Sequence, residues 1–387
     1  MQIRPFVGVN RERRAVVRVP SVIAKKFGIF DHIEDIPGTP TSRLFQDRLT
    51  LIKMADEAGF HGYHLAEHHG SGLCMAPGQE LFIAAASQIT EQIRLGPMVK
   101  LLPMHHPIRI IEDMCVLDNL TGGRLEFGVG RGAVPIEHYW FSQDWWESRD
   151  RFTDVLGIIE HALATGEISS ENSRFYDFPT MPMSTKPVQE RIPFWYPGSP
   201  VTAGRHGMSL MWPGKINEAA YELYLKTWDD HKEDGLRFDG VVGGAGGGPN
   251  SEPRVGYSML LAIAPTEDQA RDVARRGMEG LVRRTRNAHR FDYLKLNEQE
   301  CYDAQGALRA IHANMEPAIE IGAGTPAQIV ERVGALLDDG MADYVCFMFP
   351  TGDMTFEESR RTLELLIGEV IPQLEPSPAG AWEETSA

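Results

Sequence analysis

Leu95-Gly96-Pro97-Met98-Val99-Lys100-Leu101-Leu102-Pro103, then Pro107 to Leu120, then Arg124-Leu125-Glu126-Phe127-Gly128-Val129-Gly130-Arg131-Gly132: these pieces decide the architecture. The outer two are short apolar runs that suit a pleated strand. The middle one spaces its apolar residues at three and four, as an amphipathic helix does, and opens on a proline, which tolerates the first helical position. A helix between two short strands is the connection that joins parallel neighbours in a sheet. The unit recurs in both directions. Strands are predicted near Phe27 to Phe30, Gly62 to Ala66, Ile93 to Val99, Arg124 to Val129, Phe194 to Tyr196, Ser209 to Trp212, Val255 to Ala264 and Ala342 to Phe347. Helical spacing lies between them at Ser42 to Ala58, Gln79 to Thr90, Pro107 to Leu120, Arg149 to Ala164, Asn217 to Glu233, Thr266 to Val282 and Thr325 to Asp339. Eight such strands predict an α/β protein, a closed (β/α)8 TIM barrel with insertions rather than an open sheet.

Local signals agree with this order. Thr266 before Glu267-Asp268 and Thr325 before Pro326 read as helix starts, and Gly59 after Ala58 as a stop. Two segments depart from it. Arg237 to Arg254 contains Gly243-Gly244-Ala245-Gly246-Gly247-Gly248-Pro249, which lacks the grammar of a phosphate loop and reads as a flexible connector. Arg286 to Glu316 is long, polar and charged, and reads either as a lid over the barrel mouth or as a plain surface insertion. The expected division is an N-terminal arm over residues 1–26, a barrel domain over 27–374 and a disordered tail over 375–387.

Composition narrows the function. A formal charge of −16 on 387 residues disfavours nucleic acid or an anionic membrane as partner, since either polyanion is repelled at long range. No apolar run is long enough to span a bilayer, so a soluble enzyme is expected. The cysteines Cys74, Cys115, Cys301 and Cys346 are scattered, which fits a cytoplasmic location.

Residues just past the strands of a barrel face its mouth. His68 and His69 follow the second strand, and one of them should point inward, where an imidazole can hold or deliver a proton near neutral pH. The competing metal reading of His64, Glu67, His68 and His69 lacks both a helix beneath it and an HExxH pattern, so no metal is expected; at least one of His105 and His106 reads as structural. Gly128 to Ala133 satisfies G-x-G-x-x-A, but His138-Tyr139-Trp140-Phe141 and Trp145-Trp146 stand where a dinucleotide fold would continue. Trp140, Phe141 and Trp212 hint at a hydrophobic substrate.

Taken with Leu65-Ala66-Glu67-His68-His69, the opening string resembles the bacterial luciferase-like family of flavin-dependent monooxygenases, and the resemblance extends through Gly322-Ala323-Gly324-Thr325-Pro326-Ala327-Gln328. It implies reduced FMN and O2 as co-reactants, oxygenation through a peroxyflavin, and a flavin reductase as partner because no nicotinamide-binding module is evident. It implies a homodimer packed through the second and third barrel helices. It places the catalytic histidine at His68 and Arg131 on the flavin phosphate, where a guanidinium donates a fork of hydrogen bonds. The cofactor set it implies also includes Gly198 and Ser199, Trp212, and Met98-Val99 as a cis peptide beneath the ring. Gly130 stands where the light-emitting enzymes carry a cysteine, and is expected to leave space near the flavin. The loop after Gly198 is shorter than in the luciferases, and Gly198 replaces an acidic residue. A deazaflavin-dependent oxidoreductase, a metal-dependent hydrolase and a non-catalytic flavin-binding protein remain open beside this reading.

Overall fold

The computed structural model describes residues 26–234, 237–238, 252–288, 319–338 and 340–374. Nine parallel strands form its main sheet: β1 (Phe27–Asp31), β2 (Gly62–Leu65), β3 (Arg94–Pro97), β4 (Phe127–Gly130), β5 (Phe194–Tyr196), β6 (Ser209–Pro213), β7 (Val255–Ile263), β8 (Glu320–Gly324) and β9 (Tyr344–Met348). Hydrogen bonds run in the order β3-β2-β1-β9-β7-β6-β5-β4, with β8 on β7. The ends meet through a Leu95–Leu125 bridge and through Lys100-Leu101 paired with Val129-Gly130. This is the expected TIM barrel, nearly closed by that seam.

The seam explains one glycine. A Cβ on Gly96 would lie 1.5 Å from the Glu126 carbonyl oxygen, so any other residue there would force β3 away from the chain entering β4.

All eight predicted strands are present. The ninth, β8, was not foreseen: Glu320-Ile321-Gly322-Ala323-Gly324 has low strand propensity. It forms because β7 is nine residues long, so its first half pairs with β6 and its second half, on the same edge, carries β8. The helices are α1 (Thr41–Glu57), α2 (Gln79–Ser87), α3 (Pro107–Leu120), α4 (Pro135–Trp140), α5 (Ser148–Thr165), α6 (Pro200–Arg205), α7 (Glu218–Asp230), α8 (Glu267–Ala288), α9 (Pro326–Asp338) and α10 (Phe356–Leu365). Their starts are built locally. The Asn217 side chain caps Ala220 N, Thr266 Oγ1 accepts from Gln269 N, and Thr355 with Glu358 forms a reciprocal capping box. An antiparallel hairpin (Glu167–Ile168 with Met181–Pro182) interrupts the alternation after α5.

The expected arm and tail, the glycine run 243–249 and nearly all of the 286–316 excursion lie outside the described residues. Among the described residues no helix is long and apolar enough to cross a membrane.

The barrel interior mixes apolar and ionic packing. Met98, Trp195, Met211, Tyr344 and Cys346 cluster inside it. Glu126 lies fully buried beneath them and is met by Trp195 Nε1 at 2.7 Å, His61 Nε2 at 2.8 Å and Arg94 Nε at 2.9 Å. Burial alone would raise its pKa, but the charges of His61, Arg254 and Arg94 and the His61 hydrogen bond hold it well below the carboxylate range. His64, 3.0 Å from the Tyr344 hydroxyl, is pulled down to about 4 by burial.

These shifts predict acid sensitivity. His64 and His138 are pulled to about 4 and His32 to about 3, chiefly by burial. Each therefore contributes stability that is present above the unfolded value near 6.5 and lost as pH falls toward the folded one. Between pH 7 and 5 each withdraws ~2 kcal/mol. Glu34, raised to about 7 by burial, works in the opposite sense and returns about as much as one histidine withdraws. The expected net loss between pH 7 and 5 is on the order of 4 kcal/mol, visible as a falling midpoint in denaturant melts. A midpoint independent of pH over that window would contradict the assignment of these histidines as neutral in the fold.

Candidate active site

At the C-terminal ends of β1 to β5 lies a cavity of about 670 Å³, within the range of small-molecule sites. Strand ends deliver Phe30, His68, Met98 and Arg131 to it, and α5 and α6 close one side. Its apolar wall includes Phe30, Val99, Leu101, Phe152 and Leu156.

The two adjacent histidines part company. His68 lines the cavity, and its Nδ1 lies 3.2 Å from Glu137 Oε1. A carboxylate on Nδ1 holds the proton there and leaves Nε2 to meet what enters the cavity. The same Glu137 oxygen accepts from His69 N at 2.9 Å, so one buried carboxylate from α4 fixes both the backbone and the imidazole. The His69 side chain turns away, donating toward Glu67 Oε1 at 2.9 Å and packing on Phe141 at 4.6 Å between centroids.

Glu67 gathers a second network. Its carboxylate accepts from Leu101 N at 2.8 Å and faces His69, His105 at 2.5 Å and Lys100 at 3.7 Å. Ligand atoms of Glu67, His69 and His105 all lie within 4.8 Å of one another. The spacing argument against a metal missed this trio because His105 arrives from the segment beyond β3, at the close of the turn Leu102–Met104. The Lys100 ammonium beside the carboxylate, and the hydrogen bonds that both histidines already make to Glu67, fit an ion network that ties the end of β2 to the end of β3. His64, in contrast, sits in the barrel interior.

The Met98–Val99 peptide is cis, and both residues line the cavity. Gly130 lines it too, but the space expected there is taken: a Cβ on Gly130 would meet Val99 Cγ2 at 2.3 Å. The glycine makes room for valine rather than leaving a gap.

Arg131 lines the cavity, donates to Ser148 Oγ at 3.0 Å and lies over the Trp145 ring at 5.5 Å. Burial and the neighbouring Arg149 lower its pKa somewhat. Arg149 and Arg205 face the same cavity, and among the described residues none of the three pairs with a carboxylate. Gly198 and Ser199 are in the wall as well. Ser199 caps α6, its hydroxyl accepting from Thr202 N at 3.4 Å, with Pro200 in the first turn.

Three expectations are not met by position. Trp212, at the end of β6, is outside the cavity wall and packs against the hydrophobic core. Trp140 is 47% exposed and stacks over Gly70, and Phe141 lies on His69 and His105. The cavity's apolar character comes from other residues. Sequence reading also missed Glu137, Arg149 and His32. The rule that strand ends face the mouth would have found His32, directly after β1; only the folded chain brings Glu137 to His68.

The family model for luciferase-like monooxygenases matches residues 25–343. The chain belongs to that family. Among relatives, the uncharacterized protein y4wF of Sinorhizobium fredii is 41% identical over 175 residues, 45% of this chain and 50% of that protein. Limonene 1,2-monooxygenase of Rhodococcus erythropolis is 28% identical over 238 residues, 59% of this chain and 58% of that enzyme. The chain thus spans about half the length of the first and 58% of the second. The oxygenase component of the flavin-dependent trigonelline monooxygenase of Acinetobacter baylyi aligns over 91% of this chain and 96% of its own length at 24% identity. In structure, this luciferase-like protein is similar to the monooxygenase RslO1 of Streptomyces bottropensis (TM-score 0.70, 23% identity, covering 90% of this chain and 100% of that one). It is also similar to the FMN-bound oxygenating constituent of 3,6-diketocamphane monooxygenase from Pseudomonas putida (TM-score 0.63, 18% identity, 91% and 100%). An F420-dependent secondary alcohol dehydrogenase shares the fold at TM-score 0.64 and 15% identity, covering 91% of this chain and 99% of that one.

Proposed function

We propose that the protein is an FMN-dependent monooxygenase that receives reduced FMN from a separate reductase and oxygenates a small organic substrate with O2. The observation that carries this reading is that one cavity holds both a carboxylate-clamped imidazole, His68 with Glu137, and guanidiniums without carboxylate partners, Arg131 and Arg149. Unpaired guanidiniums fit a phosphate dianion, which two planar forks can neutralise. Ser199 adds a hydroxyl on the same side of the barrel.

Bound there, reduced FMN would supply the electrons that activate O2. The rest is the work of this chain. Arg131 and Arg149 hold the phosphate, while the Met98–Val99 segment and Gly130 shape the wall for the ring. Phe30, Leu101, Phe152 and Leu156 exclude water, which protects reactive species from wasteful hydrolysis and strengthens each polar contact inside. His68 holds or delivers a proton at Nε2, and Glu137 keeps that imidazole in one tautomer.

Dimerisation through α2 and α3 belongs to the same reading. Leu81 on α2 is 81% exposed, and Val116 and Leu120 on α3 are exposed as well, an apolar face on the two helices expected to pack against a second copy.

The test supplies the purified protein with enzymatically reduced FMN and follows O2 uptake and oxygenated product across aldehydes, ketones and terpenes, with reduced F420 in parallel. Product from FMN and oxygen is expected. Turnover with F420 alone would replace this reading by a deazaflavin oxidoreductase, and flavin binding with no product from any substrate would replace it by a flavin-binding protein. Sedimentation of the same preparation at micromolar concentration is expected to give twice the chain mass.

A further inference from the structure

The loop after β1 presents a side chain that the proposed mechanism leaves unused. His32 lines the same cavity as His68. Its ring lies nearly parallel to that of His68, with 5.8 Å between centroids and 17° between planes, and Phe30 packs against it at 4.8 Å. Among the described residues, nothing hydrogen-bonds to its ring nitrogens.

The backbone is built to hold it there. The buried Asp31 carboxylate accepts from Ile33 N at 2.7 Å, Arg48 Nε at 3.1 Å and the Tyr63 hydroxyl at 2.9 Å. Ile33 has φ +51°, a left-handed conformation that a β-branched residue rarely adopts. Met75 N on Ile33 O and Asp35 N on Gly72 O brace the turn from the neighbouring loop. A turn held this firmly in an unfavourable conformation points to a task for the side chain that it carries.

The surroundings decide which protonation state does the work. His68 stacks on His32, Glu67 and Arg131 share the cavity wall, and Glu137 is engaged behind His68. Burial, with the His68 charge, pulls His32 down to about 3, so its imidazole is neutral at physiological pH. A neutral imidazole donates at one nitrogen and accepts at the other.

We propose that His32 is a substrate-contacting residue that hydrogen-bonds a neutral oxygen, carbonyl or hydroxyl, on the substrate; the proposal rests on the monooxygenase reading above. A bare hydrocarbon would leave the imidazole nitrogens desolvated and unpaired, and a carboxylate would call for an imidazolium that this site disfavours. Such a site rejects analogues lacking the oxygen more strongly than an apolar wall can.

The experiment is calorimetric titration of the FMN-loaded protein with cyclohexanone, cyclohexanol, cyclohexane and cyclohexanecarboxylate, for wild type, His32→Phe and His32→Asn. FMN affinity is measured first, by fluorescence, and is expected to agree within about twofold among the three, because His32 does not address the phosphate. Wild type is expected to bind the ketone and alcohol at least about tenfold more tightly than the other two probes. His32→Phe, which keeps the ring and removes the nitrogens, should erase that preference, and His32→Asn should keep part of it. If His32→Phe does not fold, His32→Ala takes its place with the same expectation. An identical ranking in wild type and the nitrogen-free variant, binding of no probe by either, or a preference for the carboxylate overturns the proposal. Failure of wild type to bind FMN is seen before any probe is added, and overturns the monooxygenase reading instead.

Discussion

His68→Ala is expected to fold, bind FMN as wild type does and still consume O2, yet to form oxygenated product about 10²- to 10³-fold more slowly, with hydrogen peroxide released in its place. The reasoning is geometric. His68 is the imidazole in the cavity wall whose Nδ1 is held by Glu137, so truncation removes proton control at Nε2 without touching the guanidiniums. Glu137→Gln should give a milder loss and move the pH optimum, because it acts through His68. His69→Ala should behave differently. Its ring lies against Glu67 and Phe141, so its loss costs stability, ~1.5 to 3 kcal/mol for a hydrogen bond to a charged group, more than chemistry. Product and peroxide yields per O2, set beside melting curves, separate these cases. If His68→Ala turns over like wild type while His69→Ala folds and is dead, the inward-facing residue has been misassigned; if both turn over like wild type, the histidine mechanism should be abandoned.

Arg131→Ala is expected to weaken FMN about ten- to a hundredfold, the equivalent of losing a charge-assisted contact of ~1.5 to 3 kcal/mol. Riboflavin, which lacks the phosphate, serves as the internal control. Arg131 also donates to Ser148 and lies over Trp145, so truncation loosens packing as well as removing charge. A packing effect would weaken both flavins alike, whereas a phosphate contact weakens FMN alone. Arg149→Ala should act in the same direction. Fluorescence titration with both flavins decides: an unchanged FMN-to-riboflavin affinity ratio in Arg131→Ala would remove this residue from the phosphate site.

Much of the architecture was legible along the chain. The alternation of short apolar runs with helical spacing specified eight strands and their parallel order, since each repeat must bury one strand and one helix face and a right-handed crossover leaves little choice of neighbour. Met98-Val99 and Arg131 were singled out by the family resemblance rather than by periodicity, and all three residues line the cavity. β8 was not, for its glycines and alanine carry little strand preference and it exists because β7 is long enough to take a second partner.

What the tertiary structure alone decided concerns distances between residues remote in sequence. Glu137 meets His68 from 69 positions away, and His105 meets Glu67 from 38. Val99 fills the space that Gly130 was expected to leave, Trp212 turns out of the cavity wall, and His32 turns in on a left-handed Ile33. Periodicity reports which face of an element is buried, because that depends on each residue's own hydrophobicity. It cannot report which two buried or half-buried polar groups share a hydrogen bond, because that depends on loop paths and on the packing of side chains that the local sequence does not encode.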